Sequence, residues 1–386
     1  MAFLKKLKEI VSFLPSYLRD TIKVKVKNQK RSIIKTYVYI ENRNIYYEDM
    51  GRYIYLLLKV LTFTEGNVAL VKNINLLDYR RLGIYGRKIY ELDNVVLTTK
   101  LPKKTENKIL IYDREVNQWK SKIWKQLVKI EFDISLPVPR HDNWVFMPYP
   151  MHPSSYSNTQ YLNIKNLRDS PRKVRILFAG NVDPRVYANT DPQSILGKFK
   201  VIPRATVINT ITSHLVDEIL PVSSWEHMQL LIDGDYMQKC IILPKSNFQV
   251  PQEKWLEVVS KSDFFLCAPG VDIPLCHNAI ESMAVGTIPI TNYPDWFFPS
   301  LEHLKNCIRF TTKEDLIDAI KLVLNMDKSQ IEELRKNAIA YYETHLSCES
   351  FLAKTVYSDK PEITVFMNAH LQDYLQKIDK NSVILS

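Results

Sequence analysis

Glycine is scarce in this chain: nine among 386 residues, about 2% where roughly 7% is usual. The nine stand at Gly51, Gly66, Gly83, Gly86, Gly180, Gly197, Gly234, Gly270 and Gly286. No spacing among them makes G-x-G-x-x-G or G-x-x-x-x-G-K-[ST], which argues against a dinucleotide fingerprint and a P-loop. A phosphate would have to be held another way, by a bare helix N-terminus or an Arg/Lys clamp. Cysteine is sparse too: Cys240, Cys267, Cys276, Cys307 and Cys348 are odd in number and widely spaced, without C-x-x-C. That pattern predicts buried thiols in a reducing compartment and no structural zinc. No run reaches 18 apolar residues, so no transmembrane helix is predicted. The N-terminus has lysines before a short apolar run, but Glu9 interrupts it and no small-residue cleavage site follows, which rejects a signal peptide.

Charge is present but unevenly placed. The chain carries 52 Lys+Arg against 42 Asp+Glu, a formal net charge of +10. Residues 1–31 hold nine basic and two acidic side chains, a net +7, and the other 355 residues hold 43 against 40. A body so close to neutral does not read as a nucleic-acid surface, and no nucleic acid is expected as partner. In residues 1–20, Phe3, Leu4, Leu7, Ile10, Val11 and Leu14 recur at helical spacing, with Lys5, Lys6, Lys8 and Glu9 on the other face. Two readings stand for this helix. It lies on an anionic bilayer, at about 1 kcal/mol per well-placed Lys or Arg, or it packs on the protein body with its lysines in water.

Beyond residue 31 short β-rich runs alternate with helical ones, the rhythm of parallel sheets covered by helices. At this length two domains are expected. TYVYIE, NVALVKN, VVLTT, KILIYD and NWVFMPYP read as strands of a first α/β domain over 32–165. The stretches at 153–163 and 169–173 read as linker. A second α/β unit over 172–345 opens on VRILFAGN and continues through IILP, KSDFFLCAPG and TIPIT. Its end, over 313–346, reads as two polar helices. The tail 346–386 reads as further helix centred on PEITVFMNAHLQDYLQKI.

The most specific stretch is KSDFFLCAPGVDIPLCHNAIESMAVGTIPITNYPDW. It reads as a buried strand, a turn at Ala268-Pro269-Gly270, a helix over about 276–285 that stops at Gly286, and a second buried strand. Ligands of parallel α/β sheets bind at the carboxyl ends of strands. The free N–H groups of the helix's first turn would suit a phosphate there. Glu281 shares a helix face with His277 and could accept from ribose hydroxyls, or is a solvated side chain beside a surface histidine.

The pattern S-D-F-F-L-x-x-P-G, then Ala279-Ile280-Glu281, then Gly286-Thr287-Ile288-Pro289-Ile290 resembles the nucleotide-sugar domain of GT-B glycosyltransferases, and in particular the exostosin-like group. FAGN at 178–181 is similar to the opening strand of that domain, and Arg204 in KVIPRATVINTI to an Arg-bearing segment after it. The likeness covers roughly 172–345. Where that group has Arg or Ser-Arg before the helix, this chain has Leu275-Cys276-His277-Asn278, so His277 or Arg204 would supply part of the diphosphate contact. The resemblance implies two Rossmann-like domains facing across a cleft, with the C-terminal helices crossing back to the first. It implies a donor site at Gly180, Asn181, Arg204, Pro269, Gly270, His277, Asn278 and Glu281, and no bound metal or other cofactor. His141, His152 and His277 are scattered without metal-ligand spacing.

The implied activity is transfer of a hexosyl or related sugar from a nucleotide-diphosphate sugar to a glycan acceptor. A lipid-linked acceptor suits a membrane-facing N-terminus, and the implied location is cytoplasmic, peripheral on the inner face of a membrane. Candidate bases are Asp49, Asp113 and His152, with Asp49 read first as a helix N-cap. Tyr293, Asp295 and Trp296 could touch sugar, or belong to the core. The competing reading is a non-catalytic α/β binding or scaffold protein recruited to membranes by its basic N-terminus.

Overall fold

The computed structural model describes residues 8, 10–29, 33–115, 122–137, 141–156, 158–189 and 191–385. The chain divides into two compact units, Met1–Met147 with Cys348–Tyr374, and Pro148–Ser347 with Leu375–Ser386. Each is an α/β unit built on a parallel sheet.

In the first unit the strands are β1 (Ile34–Tyr39), β2 (Asn67–Val71), β3 (Val95–Thr98), β4 (Ile109–Tyr112), β5 (Gln126–Glu131), β6 (Trp144–Phe146) and β13 (Glu362–Phe366). They lie in the order β3-β2-β1-β4-β5-β13-β6, every neighbour parallel. Val38, Leu70 and Leu110 are fully buried at the centre, as expected for a sheet covered on both faces. The order runs one way from β1 to β3 and the other way from β4 to β5, so a crevice opens at the carboxyl ends of β1 and β4. Helix α2 (Arg52–Leu61) buries every residue from Tyr53 to Leu58 and keeps its two cations, Arg52 and Lys59, seven residues apart on one partly exposed face.

Of the expected amino-terminal helix, residues 8 and 10–12 are helical, and Phe3, Leu4 and Leu7 lie outside the described residues. After a turn at residue 13, helix α1 runs over Leu14–Gln29, with Pro15 in a first turn that needs no N–H from it. Its inner face packs on the unit. The Tyr17 ring meets Tyr79 edge-on at 5.5 Å, and the Tyr79 hydroxyl donates to Asp20 at 2.6 Å. Tyr79 belongs to helix α3 (Leu76–Arg81).

The tail corrects the sequence expectation most clearly. The centre of 346–386 is a strand, β13, inserted between β5 and β6. Ile363 and Val365 point inward from it, and the β-branched Ile-Thr-Val run is strand chemistry that outweighed the helical spacing of the residues after it. Only a short helix, Cys348–Lys354, precedes it, and residues from Leu375 onward belong to the second unit. The return is held by Gln126 on β5, a strand missed in the sequence because Lys129 and Glu131 break its apolar run. The Gln126 carboxamide nitrogen donates to the carbonyls of Thr355, Ser358 and Lys360 at 2.9, 3.2 and 3.0 Å.

In the second unit the strands are β7 (Val174–Gly180), β8 (Ile219–Leu220), β9 (Met237–Pro244), β10 (Ser262–Cys267), β11 (Ile288–Thr291) and β12 (Ile308–Arg309). Their order is β12-β11-β10-β7-β9-β8, again all parallel. The helices that matter below are α4 (Asn158–Arg168), α5 (Arg204–His214), α6 (Trp255–Val259), α7 (His277–Ala284), α8 (Lys313–Leu324) and α9 (Lys328–Tyr341). Phe264, Leu266, Ile288 and Ile290 from the strands and Leu316, Ile320 and Val323 from α8 form one core. The unit begins at Pro148, earlier than the expected boundary near 165–172, and both stretches read as linker are built into it. The Arg172 guanidinium donates to the carbonyls of Arg168, Ser260, Ser262, Val285 and Gly286. Its side chain thereby joins α4 to β10 and to the carboxyl end of α7, where the helix dipole favours a cation.

Replacing Gln126 with Ala removes the donor that three carbonyls share, that of Thr355 in the interior. We expect urea denaturation to show a loss of about 1–3 kcal/mol, with the tail's backbone amides the first to lose protection in hydrogen exchange.

Candidate functional site

In the second unit the strand order reverses between β7 and β10, so the crevice expected of such a sheet lies at their carboxyl ends. β7 ends in Gly180 and Asn181, and β10 runs into Ala268-Pro269-Gly270. The loop then folds back on itself. The Gly270 N–H donates to the Pro274 carbonyl at 2.9 Å, and a Cβ on Gly270 would stand 2.5 Å from the Ile273 oxygen. Only glycine permits that approach. Helix α7 follows, with Cys276 as its N-cap residue and no side chain capping the first turn. Its leading N–H groups therefore present positive potential beside the crevice.

Arg204, the first residue of α5, is buried at this crossing. It donates to the carbonyls of Pro269 at 3.0 Å, Asn181 at 3.2 Å and Ala268 at 3.4 Å, and its Nη2 lies 3.4 Å from the Cys276 Sγ. Its guanidinium also lies over the Tyr187 ring, 4.1 Å from the centroid. The side chain thus spends its donors on backbone, tying the exit of β7 to the exit of β10. The expectation of Arg204 as a diphosphate clamp is corrected accordingly: it shapes the crevice from beneath.

Glu281 also departs from expectation. It is wholly buried, and its carboxylate takes three hydrogen bonds from the protein. Oε1 accepts from the His152 N–H at 2.9 Å and the Ser155 hydroxyl at 2.6 Å, and Oε2 accepts from the Trp255 Nε1–H at 2.6 Å. With no exposed surface, it presents nothing to a ribose, and it is not the solvated side chain of the alternative reading either. Its work is to hold the segment around 152–155 and helix α6 against α7.

The same network moves His152 out of the first unit, where it was expected, and into the second. Its ring lies 5.3 Å from that of His277 at the start of α7, and its Nδ1 is 2.6 Å from the Ser154 hydroxyl. His277 is partly exposed while Asn278 is buried. One cation was missed in the sequence. Lys245 directly follows β9, its N–H donates to the Gly180 carbonyl at 2.8 Å, and its side chain is exposed. The signal was a basic residue closing an apolar strand, IILPK. Tyr293 and Trp296 are buried core residues, whereas Asp295 is exposed. Asp233 and Asp235 stand just before the amino end of β9, opposite the crevice.

The first unit holds a second polar site. At the carboxyl ends of its strands is a cavity of about 790 Å³, lined by Tyr39, Glu41, Lys72, Asp113, Glu131 and Tyr374 among others. Asp113 bridges the switch point, its two oxygens accepting the N–H groups of Glu41 and Asn42, each at 2.8 Å. The Tyr39 hydroxyl donates to Glu41 at 2.8 Å, and burial with the neighbouring carboxylate pushes that phenol up to about 12. Burial and the nearby Arg43 guanidinium hold the Lys72 ammonium below its ordinary range. Asp49 is not among the lining residues. It is not an N-cap either: Gly51 fills that position in a left-handed conformation, and Asp49 instead pairs with Arg52 at 3.2 Å.

No family model matches the chain, and no curated protein sequence does. Among solved structures it is similar to Anabaena Alr3699/HepE in complex with UDP, at 11% identity over 82% of this chain and 96% of that one, TM-score 0.34. It is similar to a glycosyltransferase from Rickettsia africae ESF-5, at 10% identity over 84% and 98%, TM-score 0.41. Sucrose-phosphate synthase from Thermosynechococcus elongatus stands at 12% identity over 84% and 98%, TM-score 0.36. These are likenesses of outline, and the chemistry of the site rests on its own residues.

Replacing Glu281 with Ala leaves an indole N–H, a backbone N–H and a hydroxyl unpaired in the interior. We expect a stability loss of about 3–5 kcal/mol in chemical denaturation. Glu281→Gln should lose less, because it keeps an acceptor in place.

Proposed function

We propose that the chain is a GT-B glycosyltransferase that moves a sugar from a nucleoside-diphosphate sugar to a glycan acceptor. The second unit takes the donor and the first takes the acceptor. The observation that carries this reading is the uncapped first turn of α7 at the β7–β10 crossing, reached through the Gly270 loop. Such a turn accepts a diphosphate without any glycine fingerprint. The likeness of 261–291 to the exostosin-like nucleotide-sugar domain supports the same assignment.

In this reading the α7 amides, His277 and Lys245 stabilise the charge that grows on the departing diphosphate, which removes the need for a metal ion. The polar cavity of the first unit suits a hydroxyl-rich acceptor, and its mix of carboxylates, cations and tyrosines offers donors and acceptors to a sugar. Of Asp49, Asp113 and His152, only Asp113 lines that cavity. We assign it the acceptor proton, which a base must take within hydrogen-bond reach. The acceptor in this proposal is a cell-surface glycan or its lipid-linked precursor, made on the cytoplasmic side.

Two measurements test the assignment. Thermal shift with UDP, GDP and CMP should raise the midpoint for at least one nucleotide, and Lys245→Ala or His277→Ala should weaken that binding about tenfold. If no nucleotide stabilises the chain, the transferase reading falls. Asp113→Asn should cut turnover by about 10²–10⁴-fold while leaving nucleotide affinity unchanged, and chelation by EDTA should leave turnover intact. Equal turnover in the Asp113 variant would move the base elsewhere.

A further inference from the structure

Helix α1 is apolar on two sides, and only one is covered. Tyr17, Asp20 and Val24 face the unit. On the other side stand Leu14, Leu18 and Ile22, exposed to 37%, 48% and 60%, with Val11, exposed to 53%, just ahead of the helix. Steps of four residues place Leu14, Leu18 and Ile22 in one row along the helix, about 12 Å long. Exposed apolar side chains normally occur singly, and a row in register marks an interaction surface.

The row's neighbours say what it meets. Arg19 and Lys23 are exposed alongside it. The acid within the helix, Asp20, is turned inward onto Tyr79 with Arg19 at its other oxygen, 3.0 Å away. Among the described residues from 10 to 24 no carboxylate faces outward. A second copy of the same face would set these cations against each other, and a nucleic acid would offer the apolar row nothing. A bilayer rich in anionic lipid supplies both chemistries together, acyl depth beside anionic headgroups.

We propose that this outer face of α1 rests on an anionic lipid surface. Leu14, Leu18 and Ile22 enter the headgroup–acyl boundary, while Arg19 and Lys23 meet lipid phosphates. The apolar contact expected from the sequence, centred on Phe3 to Leu14, thereby extends to a row that reaches Ile22. The proposal stands on α1 alone and does not depend on the transferase reading.

The test uses the full chain and sucrose-loaded vesicles, one set of phosphatidylcholine and one with about 30 mol% phosphatidylglycerol. The chain should sediment with the anionic vesicles and remain in solution with the neutral ones. A Leu18→Ser/Ile22→Ser variant should bind at least about tenfold more weakly, and Lys23→Glu should bind more weakly and with less response to salt. Because the altered residues are exposed, thermal midpoints should match the parent. Absence of binding by the parent chain would overturn the proposal. So would anionic binding that survives the double serine variant, since that would be charge attraction alone. A concentration-dependent dimer in sedimentation velocity, abolished by the serines, would assign the face to a second copy. Nucleotide-induced thermal shifts run on the same samples keep a failure here distinct from a failure of the transferase reading.

Discussion

A carboxylate buried at the heart of the second unit sets the geometry of everything around the crevice at the β7–β10 crossing. Glu281 gathers a backbone N–H from His152, a hydroxyl from Ser155 and an indole N–H from Trp255. The first two donors come from the segment 152–155 and the third from α6, some hundred residues further along the chain. A carboxyl group in such a place is tolerated only when its hydrogen bonds are met in full. The network therefore fixes the rotation of α7 about its axis, and with it the direction in which the helix's first turn points. That His152 stands beside His277 is a consequence of the same anchoring.

The two sheets solve a shared problem with opposite charges. At a switch point neighbouring strands send their chains apart, and the exposed turn ends must be braced. In the first unit Asp113 does this by accepting two backbone N–H groups from the exit of β1. In the second, Arg204 does it by donating to carbonyls at the exits of both β7 and β10. Acidic and basic side chains are not interchangeable here. The turn after β1 turns its N–H groups inward, and the turns after β7 and β10 turn their carbonyls inward. Each charge thus answers the backbone dipoles that its own turn leaves unsatisfied.

How much of this could be seen in the sequence follows from what kind of interaction carries each feature. Strands buried on both faces, such as VRILFAG and SDFFLC, are legible because burial demands a continuous apolar run. Helices α8 and α9 are legible because their periodicity is strong and their caps, Thr312 and Asp327, are local. β5 was hidden by its alternation, since Lys129 and Glu131 interrupt the run that Val128 and Ile130 would otherwise make. β13 was hidden by its helical neighbours. The site residues Glu281 and Arg204 were found by type and spacing, but their roles were not. What decides whether a charged side chain faces a ligand or the interior is the set of donors brought to it from elsewhere. Trp255 lies 26 residues from Glu281 and Asn181 lies 23 from Arg204, distances at which sequence spacing carries no orientation.

The scarcity of glycine acquires a physical meaning once the few that remain are located. Two of the nine bracket α7. Gly270 allows the preceding loop to double back against the Ile273 carbonyl. Gly286, at a φ of +73°, ends the helix and lets the Thr287 N–H return to the Ser282 carbonyl at 2.8 Å. Between them they confine the helix to eight residues and hold both of its ends. In a glycine-rich phosphate loop the backbone wraps the anion directly and the helix behind it can vary. Here the loop is only a hairpin path, so the helix terminus must be positioned by its surroundings. Arg204 beneath the loop, Arg172 at the far end and Glu281 in the middle provide that positioning. Side-chain clamps hold the helix where glycine turns might, and two of them, Arg204 and Glu281, are buried to do so.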